Sequence, residues 1–167
     1  MPKITFRLSE KSIQAAIKEL EAYRKRIEES PREIVQELAD LGVSEIDANL
    51  PSEIDGNERG TVTATVTDTE TTAHGTVNHQ GNQVSYIEFG TGVMGRNNPY
   101  EKAAELGIEY LKGSKIHLNS PNPWWAYKKN GKFYVTHGIP PQNQVLNAAK
   151  TMRTQLKEIV QKVVKRK

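Results

Sequence analysis

The stretch Ser85-Tyr86-Ile87-Glu88-Phe89-Gly90-Thr91-Gly92 constrains this chain more than any other, because an aromatic, β-branched run there stops abruptly at two glycines. Residues of that kind at almost every position from Gln83 to Phe89 suit a pleated surface better than a helix, so the run is expected to be the central strand of a sheet. Gly90 and Gly92 reach backbone angles closed to other residues and are read as turn glycines at the strand's end. Glu88 stands between Ile87 and Phe89, and a carboxylate in that setting must reach solvent or find a partner.

The flanking segments supply the rest of an α+β fold. Lys3 to Leu8 alternates Ile4, Phe6 and Leu8 with polar residues and reads as a short strand. Ser9 then caps a helix with one apolar stripe, Ile13, Ala16, Ile17, Leu20, Tyr23 and Ile27. Ser30-Pro31-Arg32-Glu33 resembles a second helix start, with Pro31 at the first helical position and a capping box, so two helices in series are expected as far as Ala48. Pro51 to Gly60 is loop. Thr61 to Thr67 alternates Val62, Ala64 and Val66 with threonines, and Ala73, Gly75 and Val77 repeat the pattern after a turn. Together with the central strand these predict a three-stranded antiparallel meander.

Beyond the glycines, Asn98-Pro99 opens a helix expected to reach Gly113 through Ala103, Ala104, Ile108 and Leu111. Trp124 to Lys129 and Lys132 to Thr136 flank Asn130-Gly131, a strong signal for a two-residue hairpin. Val145, Ala149, Met152, Leu156, Ile159 and Val163 form a heptad-like seam on a last helix, long enough to pack on the first. The expected whole is a single domain over 1–167. Its parts are an N-terminal strand and helices (1–50), an antiparallel sheet (61–90), a helix with a protruding aromatic hairpin (98–137) and a C-terminal helix (142–165).

Composition narrows the function. The 167 residues include no cysteine, which excludes disulfides and thiolate metal sites, and no apolar run is long enough for a signal peptide or a membrane span. A soluble, cytoplasmic setting is the expectation. Lys150 to Lys167 holds seven bases and one acid, so this tail carries +6 while the remainder of the chain is −3.

Gly90-Thr91-Gly92-Val93-Met94-Gly95 matches G-x-G-x-x-G, the fingerprint of a dinucleotide site. Its context does not: the preceding strands read as antiparallel, and Pro99 delays the helix beyond Gly95. His74, His79, His117 and His137 lack the spacing of metal ligands, and no nucleophile elbow or Walker loop occurs. Glu88 has no second carboxylate for acid and base work, so a hydrogen bond, an ion pair or a subunit contact is the preferred role. No enzyme activity and no cofactor or metal are expected. Trp124, Trp125, Tyr127, Phe133 and Tyr134, interleaved with Lys128, Lys129 and Lys132, could stack on nucleic acid. Cover by the body or by another subunit accounts better for so much aromatic surface.

The order of segments, with Y-I-E-F-G-T-G at 86–92 and T-H-G-I-P-P-Q-N-Q-V-L-N-A-A at 136–149, resembles the tail-completion or neck protein family of long-tailed bacteriophages typified by gene product ten of phage HK-ninety-seven. Tyr86, Glu88, Phe89, Gly90, Thr91 and Gly92 match the first family motif. Gly138, Pro140 or Pro141, Gln142, Leu146 and Ala148 match the second, whereas Asn143 and Gln144 stand where the family usually has Pro and Phe, which implies weaker packing at that corner.

The resemblance implies a virion structural protein at the head-to-tail junction, a homo-oligomeric ring around the DNA channel, assembled in the host cytoplasm. Its neighbours would be head-completion or connector proteins on one side and tail-terminator or tail-tube proteins on the other. Tyr86, Glu88, Phe89, Trp124, Trp125, Tyr127, Phe133 and Tyr134 are then candidate subunit or partner contacts. Lys165, Arg166 and Lys167 are candidates for non-specific contact with packaged DNA. The alternative from another class is a cytoplasmic nucleic-acid-binding protein that uses the aromatic hairpin and the basic C-terminal helix.

Overall fold

A computed structural model describes residues 9–50, 59–69, 72–111, 117 and 119–165; the expected strand at Lys3 to Leu8 and most of the loop from Pro51 lie outside them. Helix α1 (Glu10–Ala48) is followed by strands β1 (Thr61–Asp68) and β2 (Ala73–Gln80). Three short helices come next, α2 (Val84–Phe89), α3 (Gly92–Asn97) and α4 (Ala103–Leu106), and then strands β3 (Trp125–Lys129) and β4 (Lys132–Thr136). Helix α5 (Gln144–Lys165) is the last described element. The fold is mixed helix and sheet.

Ser9 starts α1 as expected, its side chain accepting from the Ser12 N–H at 3.3 Å. The two expected helices are one. Pro31 lies inside α1 and Ser30 does not cap a new helix; its hydroxyl donates to the Arg26 carbonyl at 2.7 Å. A proline removes one helical donor and costs about 3 kcal/mol in a helix interior, which the packed half of α1 offsets. That half is held by β1, β2 and α5.

The β1–β2 pair is antiparallel, with Val62 opposite His79, Ala64 opposite Val77 and Val66 opposite Gly75. The threonines of β1 are exposed and Val62, Ala64 and Val66 are half-buried, the alternation read from sequence. The close approach to α1 is set by Gly75, whose missing side chain leaves room for Val35. Helix α5 runs antiparallel to α1: Gln144 reaches the Asn49 carbonyl at one end and Lys162 pairs with Glu37 at 2.9 Å near the other. The expected seam is met in part: Val163 is buried, Met152 and Ile159 are half-buried and Met152 lies against Gly42 of α1, whereas Val145, Ala149 and Leu156 are exposed and Gln144 and Ala148 are buried in their place.

The expected central strand is helix α2, so among the described residues this sheet has the two strands β1 and β2 and the three-stranded meander is not formed. Ile87 N–H donates to the Gln83 carbonyl at 3.0 Å and Gly90 N–H to the Tyr86 carbonyl at 2.9 Å. β-propensity measures fit to neighbouring strands and yields where the surroundings offer other partners; those partners are described below. The helix expected from Asn98 is confined to Ala103–Leu106, because Gly107 leaves it in a left-handed conformation, φ 64°; the remainder of that expected helix, 112–113, lies outside the described residues. β3 and β4 pair antiparallel across Asn130 and Gly131, whose φ values of 51° and 79° give the twist a two-residue turn requires.

Candidate functional site

The segments 86–95 and 137–146 are about fifty residues apart in sequence and close on each other in one corner of the fold. Helix α2 ends there and α5 begins there. The last carbonyls of a helix and the first N–H groups of another both lack partners within their own helix, and here each finds them across the corner. The Ile87 carbonyl accepts from Gln142 N–H at 2.9 Å and the Glu88 carbonyl from Asn143 N–H at 3.3 Å. The Glu88 side chain then accepts from the first turn of α5, Val145 N–H at 2.9 Å and Leu146 N–H at 3.2 Å. Glu88 is 4% exposed. A buried carboxylate taking two backbone donors at a helix N-terminus gains charge-assisted bonds and a favourable helix dipole.

Tyr100 closes the corner from a third side. It is buried and packs edge-on to Phe89 with ring centroids 5.0 Å apart. Burial, then the Glu88 charge and its attraction for the phenol proton, with a smaller contribution from Glu101, push its pKa up to about 12. Its own N–H donates to the Tyr110 hydroxyl at 2.7 Å, and the Tyr110 carbonyl accepts from Gly92 N–H at 3.1 Å. Strand-like rungs lace the remaining edge: Thr91 N–H to the Ile139 carbonyl at 2.8 Å, Ile139 N–H to the Thr91 hydroxyl at 3.2 Å, and Met94 N–H to the His137 carbonyl at 3.2 Å.

The three glycines of the G-x-G-x-x-G string are each explained by a protein neighbour. Gly90 has φ 75° and a Cβ there would lie 2.6 Å from Pro141 N; Gly92 has φ 61° and a Cβ there would run into the Trp125 ring. A Cβ on Gly95 would lie 2.6 Å from the Tyr110 ring. The string therefore positions backbone against Pro141, Trp125 and Tyr110, and Gly90 and Gly92 are turn glycines after a helix rather than after a strand.

The predicted contact residues fall into two groups. Glu88, Phe89 and Trp125 belong to the corner, and Trp124 is half-buried with its ring stacked on His117 at 3.9 Å. Tyr86 and Tyr134 are exposed, and Phe133 is 76% exposed. Tyr127 lies in β3, its side chain outside the described residues. Opposed pairs share a face, so Ala126 and Val135 lie with Lys128 and Phe133 on one side of the β3–β4 pair, and the Lys128 ammonium sits 5.8 Å from the Phe133 ring. Val135 is 63% exposed. Lys165 ends α5 in solvent, while Arg166 and Lys167 lie outside the described residues.

His79 Nε2 meets the Arg59 carbonyl at 2.7 Å and His137 Nδ1 meets the Pro123 carbonyl at 3.1 Å. Among the described residues no group of three His, Cys, Asp or Glu side chains is placed to hold a metal ion, and no helix is long and apolar enough to cross a membrane. Comparison with family models, with curated proteins and with solved structures finds no match to the chain.

Sequence reasoning gave Tyr100 no role and read Gln144, with Asn143, as loosening the corner. Gln144 has no exposed surface and its amide donates to the Asn49 carbonyl at 3.3 Å, while its Oε1 and the Asn143 Oδ1 are buried without a hydrogen-bond partner among the described residues. It ties the start of α5 to the end of α1. Tyr100 follows Pro99 in an apparent helix start, and nothing local marks it as the lid on Glu88.

Proposed function

We propose that this chain is a non-enzymatic structural subunit of a bacteriophage neck, acting in tail completion as a homo-oligomeric ring around the DNA channel between connector and tail. The observation that carries the reading is that the two segments bearing the family resemblance, 86–92 and 138–148, act as one unit. Glu88 caps the helix that the second segment begins, and Gly90 and Gly92 admit Pro141 and Trp125. A motif pair that builds one corner of the monomer supports common descent of the fold better than two separate matches would. What the corner builds is a support, and the surface it presents is the protruding aromatic hairpin.

In this reading Phe133, Val135 and Ala126 form the apolar contact with a neighbouring subunit, because exposed apolar patches mark interfaces and aromatic anchors dominate their energetics. Lys165 with Arg166 and Lys167 contributes phosphate contact without sequence preference. The nucleic-acid-binding alternative is less favoured, since two bases of α5 are neutralised within the chain, Lys150 by Glu101 and Lys162 by Glu37. The test is electron microscopy of particles made without this protein: filled heads and finished tails that fail to join are expected. Intact infectious virions lacking the protein would overturn the assignment.

A further inference from the structure

The half of α1 that lies beyond the body carries an apolar stripe that the fold leaves in solvent. From Ser9 to Glu29 no residue of the helix is buried, and Ser30 is the first that is. Ile13, Leu20 and Ile27 step by seven with Ala16 and Tyr23 between them, and Ile13, Ile17, Leu20 and Ile27 are 40 to 53% exposed. The same steps continue to Ile34 and, on the other position of the repeat, through Ser30 to Glu37, the residue that Lys162 of α5 engages. The stripe is thus the seat of α5 prolonged for about 30 Å past the level of Lys165.

We propose that this stripe is covered by the same half of α1 from a second copy of the chain, packed antiparallel. Three observations choose that occupant and that direction. Helix α5 runs antiparallel to α1 and is described as far as Lys165, one turn beyond its pair with Glu37. An antiparallel helix from a second copy continues the line of α5, and its first turn, with Glu10, comes up to the last turn of α5, with Lys165. That meeting is favourable both for the side chains and for the helix dipoles. A parallel pair instead brings both bodies to one end, where each seat is already filled by its own α5.

The charges along this half of α1 are partly paired within the helix, Arg24 with Glu28 at 2.8 Å and Lys25 with Glu29 at 3.8 Å. From Glu10 to Glu29 there are five bases and five acids, a balance that favours neither a lipid surface nor nucleic acid. Two such stripes bury on the order of 1,000 Å², the lower end for a specific interface. This contact is separate from the hairpin face and holds whether or not the neck assignment does. A two-fold pair is closed and does not by itself propagate a ring.

Sedimentation equilibrium of the full chain is expected to show a monomer–dimer exchange. Ile17→Lys combined with Leu20→Lys is expected to weaken it at least tenfold with unchanged circular dichroism, since both positions are in solvent. Because the chain has no cysteine, spin labels can be placed singly by Glu21→Cys and Glu10→Cys. Antiparallel packing brings the two Glu21→Cys labels of a dimer within about 15 Å and holds the Glu10→Cys labels roughly 30 Å apart; parallel packing brings both sets to about 10 Å. A chain monomeric at all accessible concentrations overturns the proposal. So does a dimer indifferent to the two lysines, which assigns the contact to another face, and so do Glu10→Cys labels as close as those at Glu21→Cys.

Discussion

The corner at Glu88 and the hairpin at Asn130-Gly131 look alike in composition, each mixing aromatics with turn glycines, yet one is closed on all sides and the other offers a bare face. In the corner the charge and the main chain are met: Glu88 by two N–H groups, and the last carbonyls of α2 by the chain entering α5, while the buried side-chain oxygens of Asn143 and Gln144 have no hydrogen-bond partner among the described residues. On the hairpin, Phe133 and Val135 face solvent with no comparable neighbours. Aromatic content alone does not say where a segment ends up. A buried charge must be satisfied by whatever covers it, so Glu88 dictates its surroundings in a way that Phe133 cannot. The corner is therefore where substitutions are expected to disturb folding, and the hairpin is where they are expected to disturb association.

The most severe test of that contrast is Glu88→Ala. It leaves the Val145 and Leu146 N–H groups of the partly buried first turn of α5 without their charged acceptor, so a loss of about 3 kcal/mol is expected. Urea unfolding followed by circular dichroism measures it, and a loss under about 1 kcal/mol would break the comparison. Next comes Gly92→Ala. The backbone there has φ 61° and the new methyl group meets the Trp125 ring, which together cost roughly 2–3 kcal/mol. The double change Trp124→Ala with Trp125→Ala belongs on the same side of the comparison, because Trp125 packs on the corner.

A pH titration sharpens the picture at Tyr100. Its pKa in the folded chain is about 12, above the ordinary value near 10, so between those values the folded state holds a proton that the unfolded state has lost. That contribution is fully present below pH 10 and is lost as pH rises through 12. Stability is expected to fall across this window by on the order of 2 kcal/mol. Tyr100→Phe should flatten that part of the profile, since it removes the titrating phenol. An unchanged alkaline slope in the variant would remove Tyr100 from the corner's chemistry.

What could be read from the sequence divides along the same line. The period-two alternation of Val62, Ala64 and Val66 and the Asn130-Gly131 turn are local signals, and the corresponding strands are present. The residues 85–89 carried a strong strand signal and form a helix, because their surroundings are set by α5, whose first turn lies 57 residues from Glu88. Glu88 itself was legible as a charge in need of a partner, but the partner was not, since backbone N–H groups leave no mark in sequence. Pro31 reads as a helix start for sound local reasons. It sits in mid-helix because the packing of α1 on the sheet and α5 exceeds the cost of one missing bond. The family resemblance fixed on 86–92 and 136–149 without indicating that they touch.

Phe133→Ala has the smallest expected effect on folding and is the most informative about the hairpin. The side chain is three-quarters exposed and its described contact is the nearby Lys128 ammonium, so its removal is expected to change stability by less than about 0.5 kcal/mol, the range of ordinary surface substitutions. If the face with Ala126 and Val135 is a subunit contact, the same change truncates a central aromatic anchor and should cost about 2 kcal/mol or more in association, roughly thirtyfold. The two measurements, urea midpoint and self-association by light scattering, are thus expected to part company at this residue and at no corner residue. Should Phe133→Ala unfold the chain, the hairpin face belongs to the monomer's own core and the contrast between the two regions disappears. A variant that folds and associates as the parent does would leave the corner intact as described but take the hairpin out of the assembly.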